Sequence, residues 1–290
     1  MKVFNKPGVD LSNGLEDVPV LCEDPTFPSF QYCPDNVQGP GCDVDPSEVS
    51  LPGCSCLSRP CRPDACPCLQ ASGGAYDGSG TLLLLLLGGA DSGYSPPVFE
   101  CNALCACGDA CSNRVVQRGL RLRLEVLRTP DRGWGVRTLE PVRRGAFVCE
   151  YAGEVIGPDE ARRRQRAQRA QDSNYIIAVR EHAGAGPVAE TFVDPARAGN
   201  VGRFLNHSCR PNLVMVPVRV HSVTPRLALF AERDVDTGEE LTFDYSGAHG
   251  NRGPAQPPNT QNTNSPQRKA CHCGADTCTR FLPLDLSILG

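Results

Sequence analysis

Short apolar runs separated by turn residues dominate the chain from residue 115 onward. Runs of this length and composition are typical of β-strands. The nine expected strands cover residues 120–127, 135–139, 147–151, 154–156, 175–179, 190–194, 213–220, 227–231 and 240–245. One helix is also expected, because Pro158-Asp159-Glu160 opens a stretch of strong helix formers over 161–170. The pattern predicts a β-rich fold, mainly β and of the α+β class.

The arginines of the expected helix could suggest phosphate binding, but a solvated helix face is favoured. They are Arg162, Arg163, Arg164, Arg166 and Arg169.

The composition divides the chain into five segments. They are an N-terminal arm (1–53), a cysteine-rich block (54–114) with a variable insert at 71–97, the β-rich domain (115–247), a flexible linker (248–268), and a second cysteine cluster with an apolar tail (269–290). Six leucines at 82–87 lie in the insert, and they are far fewer than the ~20 residues that a membrane helix needs. We therefore expect no membrane segment.

Seventeen cysteines among 290 residues are the strongest compositional signal. They suit either a secreted disulfide scaffold or metal thiolates in a reducing compartment. Metal thiolates are favoured, because the N-terminus has no apolar signal core, the count is odd and the spacing is that of metal ligands. The net charge of −4 does not indicate a nucleic-acid binder, and it fits a basic partner such as a lysine-rich tail.

The first cysteine block predicts a structural zinc cluster. Each structural zinc takes four ligands, so three zincs need twelve bonds, and nine thiolates supply twelve if three of them bridge. The C-x-C pairs also favour bridging. The nine thiols are those of Cys54, Cys56, Cys61, Cys66, Cys68, Cys101, Cys105, Cys107 and Cys111.

Residues 202–213 place an amide, an imidazole and a thiol within four positions, at Asn206, His207 and Cys209. Polar groups inside strand-like sequence need partners. Asn206 and His207 fit a buried structural pair, an acid/base dyad or a ligand clamp. Cys209 could act as a nucleophile, but the Cys271-x-Cys273-x4-Cys278 motif favours a four-thiol zinc site. Hydrolytic chemistry is disfavoured, because no motif marks the nucleophile of a triad.

Two aromatic motifs leave their role open. Gly133-Trp134-Gly135 fits a tight turn around a core tryptophan or a flat stacking surface for a ligand. Tyr245, two residues after Phe243, fits the core as well as a site.

Together the motifs resemble those of SET-domain protein lysine methyltransferases, and they occur in the same order. The nine-cysteine block resembles the pre-SET three-zinc cluster, and the C-terminal cysteines resemble the post-SET motif. The resemblance spans residues 30–283. It is carried by Gly133-Trp134-Gly135, Glu150-Tyr151-Ala152-Gly153-Glu154, the run Arg203-Phe204-Leu205-Asn206-His207-Ser208-Cys209-Arg210-Pro211-Asn212, and Glu240-Leu241-Thr242-Phe243-Asp244-Tyr245.

The resemblance implies a SET β-clip fold with a knot-like C-terminal threading. It implies methyl transfer from S-adenosylmethionine to a lysine ε-amine of histone H3, at lysine 36 or lysine 9. The implied contacts of S-adenosylmethionine are Arg132, Gly133, Trp134, Tyr175, Arg203, Asn206 and His207. Tyr245 would be catalytic, with Tyr151 and Phe243 lining the lysine channel, and Phe243 implies at least dimethylation. A fourth zinc would be bound by Cys209, Cys271, Cys273 and Cys278.

The implied partner is the histone H3 tail or the nucleosome, in the nucleus and on the chromosome. Direct DNA binding by the SET portion is not expected. The alternative is a catalytically inactive SET module that binds chromatin as a scaffold.

Overall fold

A computed structural model describes residues 8–26, 29–57, 61–83, 97–169, 172–182, 188–246, 269–283 and 288. Fifteen strands and two helices form within these ranges. In chain order they are β1 (Val9–Asp10), β2 (Leu21–Cys22), β3 (Gln31–Tyr32), β4 (Val37–Gln38), α1 (Pro67–Ser72), β5 (Val98–Phe99), β6 (Leu124–Thr129), β7 (Gly133–Thr138), β8 (Phe147–Glu150), β9 (Gly153–Ile156), α2 (Pro158–Ala167), β10 (Ile177–His182), β11 (Val188–Gly199), β12 (Asn206–His207), β13 (Leu213–Arg219), β14 (Arg226–Ala231) and β15 (Glu240–Phe243). The predicted linker at 248–268 lies outside the described residues.

The nine predicted strands and the predicted helix are confirmed. The strands are β6 to β11 and β13 to β15, and the helix is α2, which has Asp159 and Glu160 in its first turn. The strands that the pattern missed, β1 to β5 and β12, have two residues each. Two residues are too few to show an alternation of apolar and polar positions.

The strands form three sheets. Their orders are β1-β2-β6-β7-β15-β12, β10-β11-β9-β4 with β3 also paired to β11, and β5-β13-β14-β8. The N-terminal arm is therefore part of the sheets, because β2 extends one of them beside β6 and β4 pairs in parallel with β9. A buried apolar cluster joins strands of all three sheets, with Leu124, Val193 and Leu229 among its members.

The leucine run begins in the core. Leu82 is 1% exposed and packs with Val98, Val116 and Phe230, whereas Leu83 is exposed. The rest of the run, 84–87, lies outside the described residues. One leucine of the insert is therefore a core residue, which its position in a Gly-rich segment did not indicate.

The expectation of a solvated arginine face is wrong for Arg164. Its side chain is 10% exposed and pairs with Glu154, Glu160 and Asp194. Arg163, one position earlier, is 62% exposed and pairs with Glu160 alone among the described residues. Because β9 and β11 supply two of the carboxylates, Arg164 fixes α2 to this sheet.

No helix in the described part of the chain has the length and apolar character needed to cross a membrane.

Candidate active site and metal centres

Strand β12 brings two of the motifs side by side. It pairs in parallel with β15, which sets Asn206 beside Thr242 and His207 beside Phe243. A tight 3-10 turn over Val201–Phe204 leads into it, capped by the side chain of Asn200. At Gly202 a Cβ would lie 2.6 Å from the carbonyl oxygen of Glu150, so only glycine permits this close approach. The turn thereby brings the 203–212 run against the end of β8.

Three aromatic rings form a continuous cluster where β8 and β15 end. The ring centroids of Tyr151 and Phe243 are 5.8 Å apart, and those of Phe243 and Tyr245 are 4.9 Å apart. The ring of His207 lies 5.4 Å from that of Tyr245. Phe243 is 2% exposed and Tyr151 is 4% exposed, while Tyr245 is half-buried. The structure thus brings together Tyr245, the predicted catalytic residue, and Tyr151 and Phe243, which are predicted to line the lysine channel.

Both tyrosine hydroxyls of this cluster donate to main-chain carbonyl oxygens. Tyr245 donates to the carbonyl of Leu205 at 2.7 Å, and Tyr151 donates to that of Tyr175 at 2.5 Å. Burial raises the pKa of Tyr151 well above its ordinary value and also raises the pKa of Tyr245. Each hydroxyl therefore keeps its proton, and each oxygen retains lone pairs that can accept a further hydrogen bond.

A second polar group lies beside the glycines of β7. The Asn206 amide donates to the Trp134 carbonyl and to Glu240, each at 2.9 Å. Glu240 also forms a 2.5 Å ion pair with Arg132. A Cβ at Gly135 would lie 2.8 Å from Glu240 and 2.7 Å from the Thr129 methyl group, so glycine leaves the space that this network occupies.

Glu240 is a site residue that the sequence did not reveal. It lies in the motif Glu240–Tyr245, and the motif by itself indicates no role for it. A signal for it exists in the sequence, because a carboxylate within a strand needs a cationic partner. Arg132, a predicted cofactor residue, is such a cation.

Arg203 is held among aromatic rings. Its guanidinium carbon lies 4.2 Å from the ring centre of Phe30, 5.0 Å from that of Tyr175 and 4.9 Å from that of Phe204. It also donates to the Pro195 carbonyl at 3.0 Å. Phe30 belongs to the N-terminal arm, so the arm contributes directly to the surroundings of the predicted cofactor residues. No local pattern predicts this contact, because the two positions are 173 residues apart in the sequence.

The nine cysteines of the first block converge into one buried cluster, of which only Cys56 is half-buried. Cys61 and Cys101 have sulfur atoms 4.0 Å apart, and Cys68 and Cys105 have sulfur atoms 3.8 Å apart. Four thiolates around one tetrahedral zinc, at about 2.3 Å from the metal, would lie about 3.8 Å from one another. The spacing of the thiols therefore fits zinc.

The C-terminal cysteines meet Cys209, as predicted. The four sulfur atoms of Cys209, Cys271, Cys273 and Cys278 lie within 4.8 Å of one another. Those of Cys209 and Cys271 are 4.0 Å apart. All seventeen cysteines, each of them among the described residues, carry free thiols. A disulfide scaffold is therefore wrong.

Two family profiles match the chain. The profile described as the SET domain matches residues 133–246, and that of the pre-SET motif matches residues 12–114. The histone-lysine N-methyltransferase SETMAR of Mus musculus is 52% identical over 283 residues, which cover 96% of this chain and 90% of that relative. The chain belongs to the SET-domain histone-lysine N-methyltransferases. Within this family, two runs of the sequence, 30–46 and 190–194, predict a likeness to SETMAR, and the match confirms it.

Solved structures of SET-domain proteins have a fold similar to that of this chain. The methyltransferase domain of human SETMAR is 46% identical, with a TM-score of 0.83 over 97% of this chain and 99% of that chain. KRYPTONITE in complex with mCHH DNA, H3(1–15) peptide and SAH is 29% identical, with a TM-score of 0.70 over 98% of this chain and 55% of that chain. The SET-domain fold and the enzyme class predicted from the motifs are confirmed.

Proposed function

We propose that this chain transfers methyl groups from S-adenosylmethionine to a lysine ε-amine in the tail of histone H3, within nucleosomes on the chromosome in the nucleus. The observation that carries the proposal is the cluster of Tyr151, Phe243 and Tyr245, with two hydroxyl oxygens free to accept. A SET-domain neighbour of this chain was solved with an H3 peptide and SAH, the form that the methyl donor takes after transfer.

The aromatic cluster favours the reactive form of lysine. A free lysine titrates near ~10.4 and is charged at neutral pH, so it must lose a proton before it can attack. Burial between aromatic rings disfavours the charged ammonium and lowers its pKa. The two buried rings, of Tyr151 and Phe243, supply such an apolar wall.

Tyr245 orients the amine rather than deprotonating it. Its own proton is committed to the Leu205 carbonyl, and its raised pKa keeps the phenol neutral. The oxygen can therefore accept a hydrogen bond from an amine N–H, which directs the nitrogen lone pair along one line. Alignment of this kind supplies much of the acceleration in a displacement reaction.

The residues predicted to hold S-adenosylmethionine fit a ligand with both flat and charged parts. A Cβ at Gly133 would have no atom within 4 Å, so the main chain is open to a ligand there, and its φ of +71° lies in the left-handed region that favours glycine. Near it, Asn206 donates to the Trp134 carbonyl and to Glu240, which pairs with Arg132. The guanidinium of Arg203 lies over the ring of Tyr175. When bound, this donor supplies an electrophilic methyl group on a sulfonium. Both ring nitrogens of His207 are engaged elsewhere, so we assign its contact to the main chain.

We assign three zincs to the pre-SET cluster, with Cys54, Cys61 and Cys101 as the bridging thiolates. These three sulfur atoms lie within 4.8 Å of one another, so each could be shared between two zinc ions. The six remaining thiols then form three terminal pairs, Cys56 with Cys66, Cys68 with Cys105, and Cys107 with Cys111. A fourth zinc belongs to Cys209 and the C-terminal cysteines.

The target is lysine 36 or lysine 9 of histone H3, and Phe243 supports at least dimethylation. The test is methylation of an H3 peptide array with a labelled donor, followed by mass spectrometry of the modified peptides. Transfer to peptides that contain one of these two lysines, and its loss when that lysine is replaced by arginine, supports the proposal. Binding of H3 without any transfer would instead favour the scaffold alternative.

A further inference from the structure

The buried ring of His207 lies between the C-terminal thiols and Tyr245. It is 4% exposed. Its Nδ1 accepts the main-chain N–H of Tyr245 at 3.3 Å, and its Nε2 lies 3.4 Å from the sulfur of Cys209. Among the described residues, the nearest carboxylate oxygen is that of Asp244, which is 3.7 Å from Nδ1 and beyond hydrogen-bond distance.

These two contacts define the tautomer. Because Nδ1 accepts a hydrogen bond, it carries no proton, and the neutral ring must carry its proton on Nε2. The Nε2–H group then points at the Cys209 sulfur. The ring is thus an acceptor toward Tyr245 and a donor toward Cys209.

The Cys209 sulfur is surrounded as a metal-bound thiolate would be. It also accepts the main-chain N–H of Thr279 at 3.5 Å, and the Thr279 hydroxyl oxygen is 3.5 Å away. Donors around a ligating thiolate disperse its charge and fix its direction, and loss of such a partner commonly costs 10-fold to 100-fold in metal affinity. The N–H of His207 is the one donor of this set that comes from the active-site side.

We propose that His207 is a positioning residue that joins the C-terminal zinc site to the catalytic tyrosine. Its Nε2–H holds the Cys209 thiolate toward the metal, and its Nδ1 holds the main chain of Tyr245. The Tyr245 ring is then fixed at two points, by this main-chain bond and by its hydroxyl bond to Leu205. This inference rests on the proposed function, because it assigns the metal and Tyr245 the roles given above.

Two substitutions separate the two bonds. His207→Asn keeps an acceptor oxygen near the position of Nδ1 but has no donor that reaches Cys209. His207→Gln keeps an N–H donor near the position of Nε2 but loses the acceptor for Tyr245. Two measurements are made on each variant in the full chain. The first is the rate at which a chromophoric chelator removes the most labile zinc, and the second is the kcat and KM for methyl transfer.

We expect a crossed result. His207→Asn loses its labile zinc about 10-fold to 100-fold faster than wild type, and under saturating zinc its kcat falls at least about threefold less than that of His207→Gln. His207→Gln holds zinc within about threefold of wild type, while its kcat falls at least about 10-fold at unchanged KM for the donor. His221→Asn, a half-buried histidine outside this site, is the matched control and changes neither readout.

Equal losses of zinc retention and kcat in both variants would overturn the proposal, because they would mean that the ring only fills space. The absence of any change would overturn it too. If neither variant folds, nitrogen-15 spectra of the wild-type protein test the proposal, because they show which ring nitrogen of His207 carries the proton. A proton on Nε2 supports the proposal, and a proton on Nδ1 contradicts it. A wild-type chain without methyl transfer would refute the proposed function, and the zinc-release difference would still report on the bond to Cys209.

Discussion

Replacing Arg164 by methionine should destabilise the fold far more than the same change at Arg163. The guanidinium of Arg164 is 2.7 Å from Glu154, 2.7 Å from Glu160 and 2.8 Å from Asp194. The side chains of Glu154 and Asp194 are 17% and 5% exposed. Arg163 is 2.6 Å from Glu160 but 62% exposed. The two arginines therefore share one partner and differ in burial.

The magnitude follows from the charge that each change leaves behind. Removal of one partner from a buried ion pair typically costs 3–5 kcal/mol, because the remaining charge is uncompensated. Arg164→Met leaves Asp194 in this state, so we expect a loss of about 4 kcal/mol. An exposed pair contributes about 0–1 kcal/mol, so we expect Arg163→Met to cost less than about 1 kcal/mol.

Urea unfolding followed by circular dichroism, in buffer that contains zinc, measures both values. Similar losses in the two variants, or a loss below about 1.5 kcal/mol for Arg164→Met, would refute the reasoning.

The pH dependence of the unfolding free energy provides a second test. Hydrogen bonds from Arg163 and Arg164 lower the pKa of Glu160 to about 2. The stability from this carboxylate is therefore complete above its unfolded pKa of about 4.3 and is lost as the pH falls toward 2. The cost of Arg164→Met should shrink over that interval.

Three further predictions concern the buried carboxylate, the channel and the metal. Burial raises the pKa of Glu150 to about 7, so its protonation stabilises the fold fully below about pH 4.3, and this stability is lost as the pH rises through 7. Glu150→Gln should remove up to about 4 kcal/mol of this pH dependence in urea titrations, and an unchanged pH profile would contradict the prediction. Phe243→Tyr should shift the products toward monomethyllysine by mass spectrometry, and an unchanged ratio of mono-, di- and trimethyl products would oppose the role of Phe243. Cys278→Ser should lower the zinc content from about four to about three per chain by metal analysis, whereas Cys42→Ser keeps four; equal contents in both variants would contradict the C-terminal site.

Local patterns predicted the elements that are long enough to show them. Every run of four or more patterned residues from 115 onward became a strand or the helix. Spacing alone also predicted that Cys209 would meet the C-terminal cysteines, although more than 60 positions separate them. The three cysteines at 271, 273 and 278 need a fourth ligand for a tetrahedral zinc, and few residues outside the first cysteine block could supply it.

Other features depend on partners that only the fold brings together. Arg164 resembles its exposed neighbours in sequence, and it is buried only because β9 and β11 present Glu154 and Asp194 to it. Phe30 reaches Arg203 because β3 pairs with β11. The motif around His207 predicts a cofactor contact, whereas its two hydrogen bonds depend on the pairing of β12 with β15. Such pairings have no local pattern in the sequence.

The most direct test of the central claim is methyl transfer by Tyr245→Phe, measured together with binding of the methyl donor by calorimetry. The change removes one hydroxyl that donates to Leu205 and leaves the ring in place. We predict that transfer to H3 peptides falls at least about 100-fold, as is typical for loss of one positioned polar group at a reacting centre, while donor affinity stays within about threefold. Transfer within tenfold of the wild-type rate would contradict the assignment of Tyr245 as the catalytic residue.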